Sequence, residues 1–399
     1  MAIASMADAK FDVIIIGAGI SGINTAYRLQ EGLRDYSYAV LDARSEFGGT
    51  WSLFKYPGIR SDADLHTFGL SWERHGKETA HMPMHQLYLS TTSTPFFLES
   101  LRLSLNNCCF VVLDTGYYDH TQGLNSKIPG LESFKGTVVH PQFWPENLDY
   151  SKQKVVIIGS GARAATMVPA MNEQACQVTM LQRSPSYFMT IPLANPLLGI
   201  ELIRIRYILL AYFLVYFCWI FPTKSKELLR RQTERQLPKN VPHDTHFVPS
   251  YLPWQQRICF IPQVRGDFFD ALRTGKANIV TDHIETIKDN GIKLKSGQEL
   301  EADIIVTATG LNMLFPGGTK FFVDGEEHHI KDKHTWHGAL LQDLPNLTFI
   351  FGYTNAHSRS VKEVPWLNLN SSYIKSALEH QVLPKGGDIG PWKPKSKYF

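Results

Sequence analysis

A strand, a glycine-rich turn and a helix follow one another twice in this chain, about 140 residues apart. Residues 11–16 read FDVIII, then comes GAGISG, then a helical stretch to about Gln30. Residues 155–158 read VVII, followed by GSGARA and a helical stretch to about Gln174. Each unit leads into another apolar strand, residues 38–41 and 178–181. Apolar runs joined by helices suit parallel sheets covered on both faces. The expected class is α/β, with two doubly wound, Rossmann-like dinucleotide-binding domains. Further strand signals lie at residues 302–307 and 347–351. The expected division is 1–150 for the first domain and 151–300 for the second, with a helical insertion at about 192–253. Residues 301–399 would return to the first domain.

Composition narrows the class. A length of 399 residues suits two or three domains. A formal charge of +3 with no basic block argues against a nucleic-acid partner. The five cysteines form neither a disulfide framework nor a zinc spacing, so no metal is expected and a reducing, cytoplasmic setting is. Residues 207–221 are fifteen unbroken apolar or aromatic positions. A span there would put two parts of one nucleotide domain on opposite sides of a bilayer. The segment therefore reads as a buried or interfacial helix, with shallow membrane contact as the alternative.

The glycine spacing has a chemical reason. Gly17 permits the tight turn, Gly19 lets the backbone approach a pyrophosphate, and Gly22 lets helix and strand pack. Asp42, twenty residues after Gly22, stands where a carboxylate accepts hydrogen bonds from a ribose. Gly159, Gly161 and Ala164 form the second turn, but there the next strand ends in Arg183 and Ser184. A cation at that place suits a 2′-phosphate, hence NADPH rather than NADH. Two unlike nucleotide sites suggest a resident flavin, FAD, reduced by NADPH. A dithiol reductase needs a C-x-x-C pair, and Cys108 and Cys109 are adjacent. Monooxygenation with O2 therefore leads.

Two further stretches carry a resemblance. GGTW at residues 48–51 and YPGIRSD at 56–62 resemble the flavin-binding stretch of Baeyer–Villiger monooxygenases. FKGTVVHPQFWP, residues 134–145, is similar to that family's fingerprint at Phe134, Gly136, His140 and Trp144. The chain looks most like the ethionamide-monooxygenase branch. The resemblance implies oxygen insertion into a ketone through a C4a-peroxyflavin, giving an ester or lactone. Oxygenation of nitrogen or sulfur is its variant. It also implies a flavin site containing Gly49, Thr50, Trp51, Arg60, Ser61 and Asp62, with Thr309 and Gly310 approaching the flavin. Ser160, Gln182 and Gln256 would belong to the NADPH side; many relatives have a lysine at the last position. Arg257 carries over as the catalytic arginine, held against Asp62. His140 reads as structural rather than as a base, Trp144 as packing, and Asn355 as lining the pocket.

The chain departs from the family in two places. Residues 80–115 are shorter than the family's segment there, and Asp114 replaces a cysteine. About forty residues are expected but absent after Ala356. A nucleotide-binding protein without productive turnover is the alternative of another class. The aromatic insertion mildly favours a hydrophobic small-molecule substrate.

Overall fold

In the computed structural model the described residues are 10–60, 96–97, 108–124, 126–191, 200–253, 258–262, 267–314, 316–329, 335–336 and 339–350. The chain divides into two units. The first comprises residues 1–53, 84–121 and 311–399; the second comprises 54–83 and 122–310.

In the first unit, β1 (Phe11–Ile16) is followed by α1 (Ile20–Gly32) and β2 (Tyr38–Asp42). A short α2 (Thr50–Leu53), β3 (Phe96–Phe97) and β4 (Cys108–Leu113) come next. β4, β1, β2 and β3 pair in parallel, with β1 between β4 and β2. The apolar run of β1 is explained by its two buried faces. Val13 and Ile15 pack with Val112 and the α1 residues Ala26 and Leu29. Ile14 packs on the other face with Ala39, Leu41 and Cys108. On the far side of β4 the sheet continues through β21 (Leu344–Phe349), β20 (Leu340–Leu341) and β19 (Thr335–Trp336). A small ladder joins β5 (Tyr118–Gly123) to β16 (Leu311–Met313), and β17 (Phe321–Val323) pairs with β18 (Glu326–His328).

The second unit repeats the plan. Its five-stranded parallel sheet runs β11 (Ala277–Thr281), β8 (Gln177–Gln182), β7 (Lys154–Ile158), β15 (Ile304–Thr307) and β6 (Thr137–Val139). The helices α3 (Ala162–Asn172) and α7 (Asp267–Arg273) pack together against it. They bury Met167, Met171, Phe268 and Phe269 completely. An antiparallel meander of β12 (Ile284–Lys288), β13 (Gly291–Leu294) and β14 (Glu299–Glu301) supplies Ile287, Ile292 and Leu294 to a core with Val156, Leu181 and Ile305. β9 (Tyr187–Ile191) and β10 (Ile258–Pro262) pair in parallel as a separate ribbon. Between them lie α4 (Ile200–Ile220), α5 (Pro222–Glu234) and α6 (His243–His246), the expected helical insertion.

The boundaries differ from the sequence expectation. β6 and β15 hydrogen-bond into the second sheet, so that unit claims residues 122–150 and 301–310. The chain returns to the first unit at Leu311 rather than at 301. Strand pairing decides this, and the apolar runs alone do not specify their partners.

Candidate dinucleotide sites

The first glycine turn closes over the end of β1. Gly17 has φ +111°, and a Cβ there would lie 2.3 Å from the carbonyl oxygen of Asp114. A Cβ on Gly22 would lie 1.8 Å from the carbonyl oxygen of Gly17, so any side chain would push helix from strand. Gly19 is the N-cap of α1 and offers no side-chain cap. The first N–H groups of the helix are therefore left for a ligand, at the end where the helix dipole favours an anion. Asp42 ends β2 beside this turn. One of its oxygens accepts from the Ala18 N–H at 2.6 Å and the other from the Arg44 N–H at 2.9 Å.

The GGTW segment folds back on the same turn. Gly48 donates its N–H to Ala18 O at 3.0 Å. Gly49 has φ +57°, and a Cβ there would sit 3.0 Å from the Cα of Gly19. Thr50 and Trp51 open α2. Gly17, Gly19, Gly22, Asp42, Gly49, Thr50 and Trp51 are thus carried by one glycine-lined region of one unit. The bare helix terminus and the cradle that side chains would fill fit a dinucleotide such as FAD.

Behind the turn sits Asp114, just past β4 and 4% exposed. Both its carboxyl oxygens lack a hydrogen-bond partner. Burial pushes the carboxyl up to about 7, and the nearby Thr25 side chain offsets this only slightly. This environment was not legible in the sequence; the replaced cysteine was its only signal.

The second turn follows β7. Gly159 has φ +142°, and a Cβ there would meet Ala308 O at 2.5 Å. Gly161 caps α3 without a side chain, and nothing lies within 4 Å of where its Cβ would be. That open space is what close approach of a pyrophosphate requires. Ala164 is fully buried, as the packing position demands. Ser160 donates to Ser184 O at 3.1 Å. Arg183 and Ser184 are exposed just past β8, and among the described residues Arg183 has no ion pair. The site therefore fits a dinucleotide whose ribose carries a phosphate. Gln182 points elsewhere: its amide donates to His246 O and Thr281 Oγ1, both at 2.8 Å, inside the core.

Arg163, in the first turn of α3, is a candidate site residue that the glycine motif does not bring forward. Its guanidinium stands 5.9 Å from the Phe54 ring centroid, and its buried Nη1 has no partner. A cation with an unused donor beside a helix N-terminus is suited to a phosphate. Thr309 Oγ1 is likewise buried without a partner, next to Gly310 at φ +133°.

His140 has both ring nitrogens in use. Nδ1 accepts from the Gln142 N–H at 3.3 Å, so Nε2 carries the proton and donates to Gly310 O at 3.2 Å. Burial, then the Arg163 charge, holds its pKa below the usual value. Trp144 is buried edge-on to Tyr150, with ring centroids 6.4 Å apart. Arg60 forms a two-pronged ion pair with Asp267 at the start of α7. Ser61, Asp62, Gln256, Arg257 and Asn355 lie outside the described residues.

Residues 107–338 match the flavin-binding monooxygenase-like family, and residues 15–82 match the NAD(P)-binding Rossmann-like domain. The first match covers more than half of the chain. The chain belongs to the flavin-binding monooxygenase-like family. This monooxygenase is 35% identical to the FAD-containing monooxygenase EthA of Mycolicibacterium smegmatis, over 98% of this chain and 93% of that one. It is 41% identical to the putative FAD-containing monooxygenase MymA of Mycobacterium tuberculosis, over 93% of this chain and 83% of that one. The EthA alignment runs over 463 positions, more than the 399 residues here, so that relative carries segments with no counterpart in this monooxygenase. Its fold is shared with an oxidized steroid monooxygenase bound to NADP: TM-score 0.66 and 18% identity, covering 88% of this chain and 82% of that one.

Proposed function

We propose that this monooxygenase uses FAD and NADPH to insert one oxygen atom of O2 into a ketone, releasing an ester or lactone. The fingerprint of residues 134–144 carries the reading. Phe134 and Trp144 are buried, and a Cβ on Gly136 would meet Asp303 O at 2.3 Å. His140 is fixed by backbone groups on both sides. The segment therefore supports a structural role that keeps its shape, not a proton-transfer role.

Bound FAD and NADPH supply the redox chemistry that activates O2; the chain binds, orients and shields them. The turn at Gly17–Gly22 and Asp42 would hold the FAD, and the turn at Gly159–Ala164 with Arg163 and Arg183 would hold NADPH. Arg257 is the residue to which the family resemblance assigns stabilisation of the negative charge growing on the ketone oxygen. The test is turnover of a ketone and a thioether under 18O2. One labelled oxygen in an ester, abolished in Arg257→Ala while NADPH consumption persists, is the expected result. Label found only on the thioether sulfur, or undiminished ester formation by Arg257→Ala, overturns the reading.

A further inference from the structure

The sequence expectation for residues 207–221 is a buried or interfacial helix, with shallow membrane contact as the alternative. Among the described side chains of α4, Ile203 and Cys218 are buried, and Tyr207, Leu214, Val215 and Phe217 are half-buried. The opposite face lies open and is apolar apart from exposed Arg206: Leu202 is 60% exposed, Leu209 63% and Phe213 65%, with Ile205, Tyr216 and Ile220 alongside. A helix apolar on every side belongs in a core or against lipid, and this one is not in the core.

The exposed strip continues into α5. Phe213, Phe217 and Phe221 form a ladder of rings with centroids 5.8 and 5.7 Å apart. Lys224 lies 5.3 Å from the Phe221 ring. From there Lys224, Leu228, Arg231 and Arg235 follow one exposed stripe at helical spacing. Arg231 pairs with Glu227 at 2.7 Å, a surface contact that is weak in water. Residues 200–235 hold seven basic and three acidic side chains, a net +4, against +3 for the whole chain. The molecule's positive charge is therefore concentrated on the element that exposes its apolar surface.

We propose that α4 and α5 dock this unit onto the surface of a bilayer carrying anionic headgroups, with the outer face of α4 sunk among the acyl chains. Fifteen uncharged residues, seven of them aromatic, suit the boundary between headgroups and hydrocarbon. The basic stripe of α5 matches an anionic surface. A second copy docked by a two-fold axis would instead set two +4 hairpins against each other. A one-way crossing is also excluded by the strands. β9 precedes the insertion and β10 follows it, yet the two are hydrogen-bonded neighbours on one side of any bilayer. Among the described residues no single helix is long and apolar enough to cross, and α4 and α5 meet at a 119° bend.

The test is flotation of the full chain with phosphatidylcholine vesicles, with and without phosphatidylglycerol. The chain should float with the anionic vesicles and lose partition as salt rises. Leu209→Glu combined with Phe213→Glu should abolish flotation and leave the circular dichroism spectrum unchanged. Lys224→Glu and Arg231→Ser should each weaken partition by roughly fivefold or more, reading out charge separately from apolar area. A wild-type chain that stays at the bottom of the gradient overturns the proposal. So does equal flotation of the glutamate variant. So does a lipid-free dimer that the glutamate pair splits without any vesicle binding.

Discussion

The backbone of Asp114 closes the space beside Gly17: a Cβ on that glycine would fall 2.3 Å from the Asp114 carbonyl oxygen. The same residue buries an acid behind the first dinucleotide turn, raised to about 7 by desolvation.

That acid makes stability depend on pH. Its folded value of about 7 lies above the ordinary 3.8, so between the two the folded state binds one proton more than the unfolded chain. Stability from this residue is present at acid pH and is lost as pH rises from about 4 through 7, by at most on the order of 4 kcal/mol. Asp114→Cys should remove the slope, because a buried thiol stays neutral over this range. Urea midpoints at pH 5 and pH 8 check it. A wild type that gains stability over that interval, relative to the variant, contradicts the assignment.

The two glycine turns predict different defects for one substitution. Gly22→Ala drives a methyl group into the Gly17 backbone, at 1.8 Å, and should yield protein unable to hold flavin. Gly161→Ala meets nothing within 4 Å, so the fold and flavin content should be unchanged. Its methyl group occupies the path of the pyrophosphate, and the KM for NADPH should rise about tenfold or more, roughly 1.4 kcal/mol of binding. Flavin absorbance and steady-state kinetics on the two variants separate the cases.

How much of this was legible in the sequence depends on how local each feature is. The glycine turns, Asp42 and the insertion were, because turn geometry and strand register are set within a few dozen residues. Domain boundaries were not, since β6 and β15 choose their sheet through partners far along the chain. Arg163 was overlooked because the motif is defined by its glycines, while the arginine matters only once Phe54 lies beneath it. The apolar run of α4 was plain, but whether its outer face meets protein is a tertiary fact. Arg60 sat in the flavin-like segment, yet Asp267, 207 residues away, takes its guanidinium.

Arg183 and Arg163 should act on different parts of the nicotinamide cofactor. Losing a charge-assisted hydrogen bond costs about 1.5–3 kcal/mol, or roughly 10- to 150-fold in affinity. Arg183→Ala should raise the KM for NADPH by that factor and leave NADH unaffected, because only the 2′-phosphate is missed. Arg163→Ala should weaken NADPH and NADH alike, because both carry the pyrophosphate. Kinetics with both cofactors check this, and equal losses in Arg183→Ala would remove its proposed role.

The central claim is that one chain assembles a flavin site and an NADPH site that exchange electrons. The most direct test is the visible spectrum of protein purified without added flavin, recorded before and after NADPH in air. The account predicts a flavin spectrum that bleaches on NADPH addition and recovers as oxygen reoxidises it. A colourless protein that FAD cannot restore would contradict it.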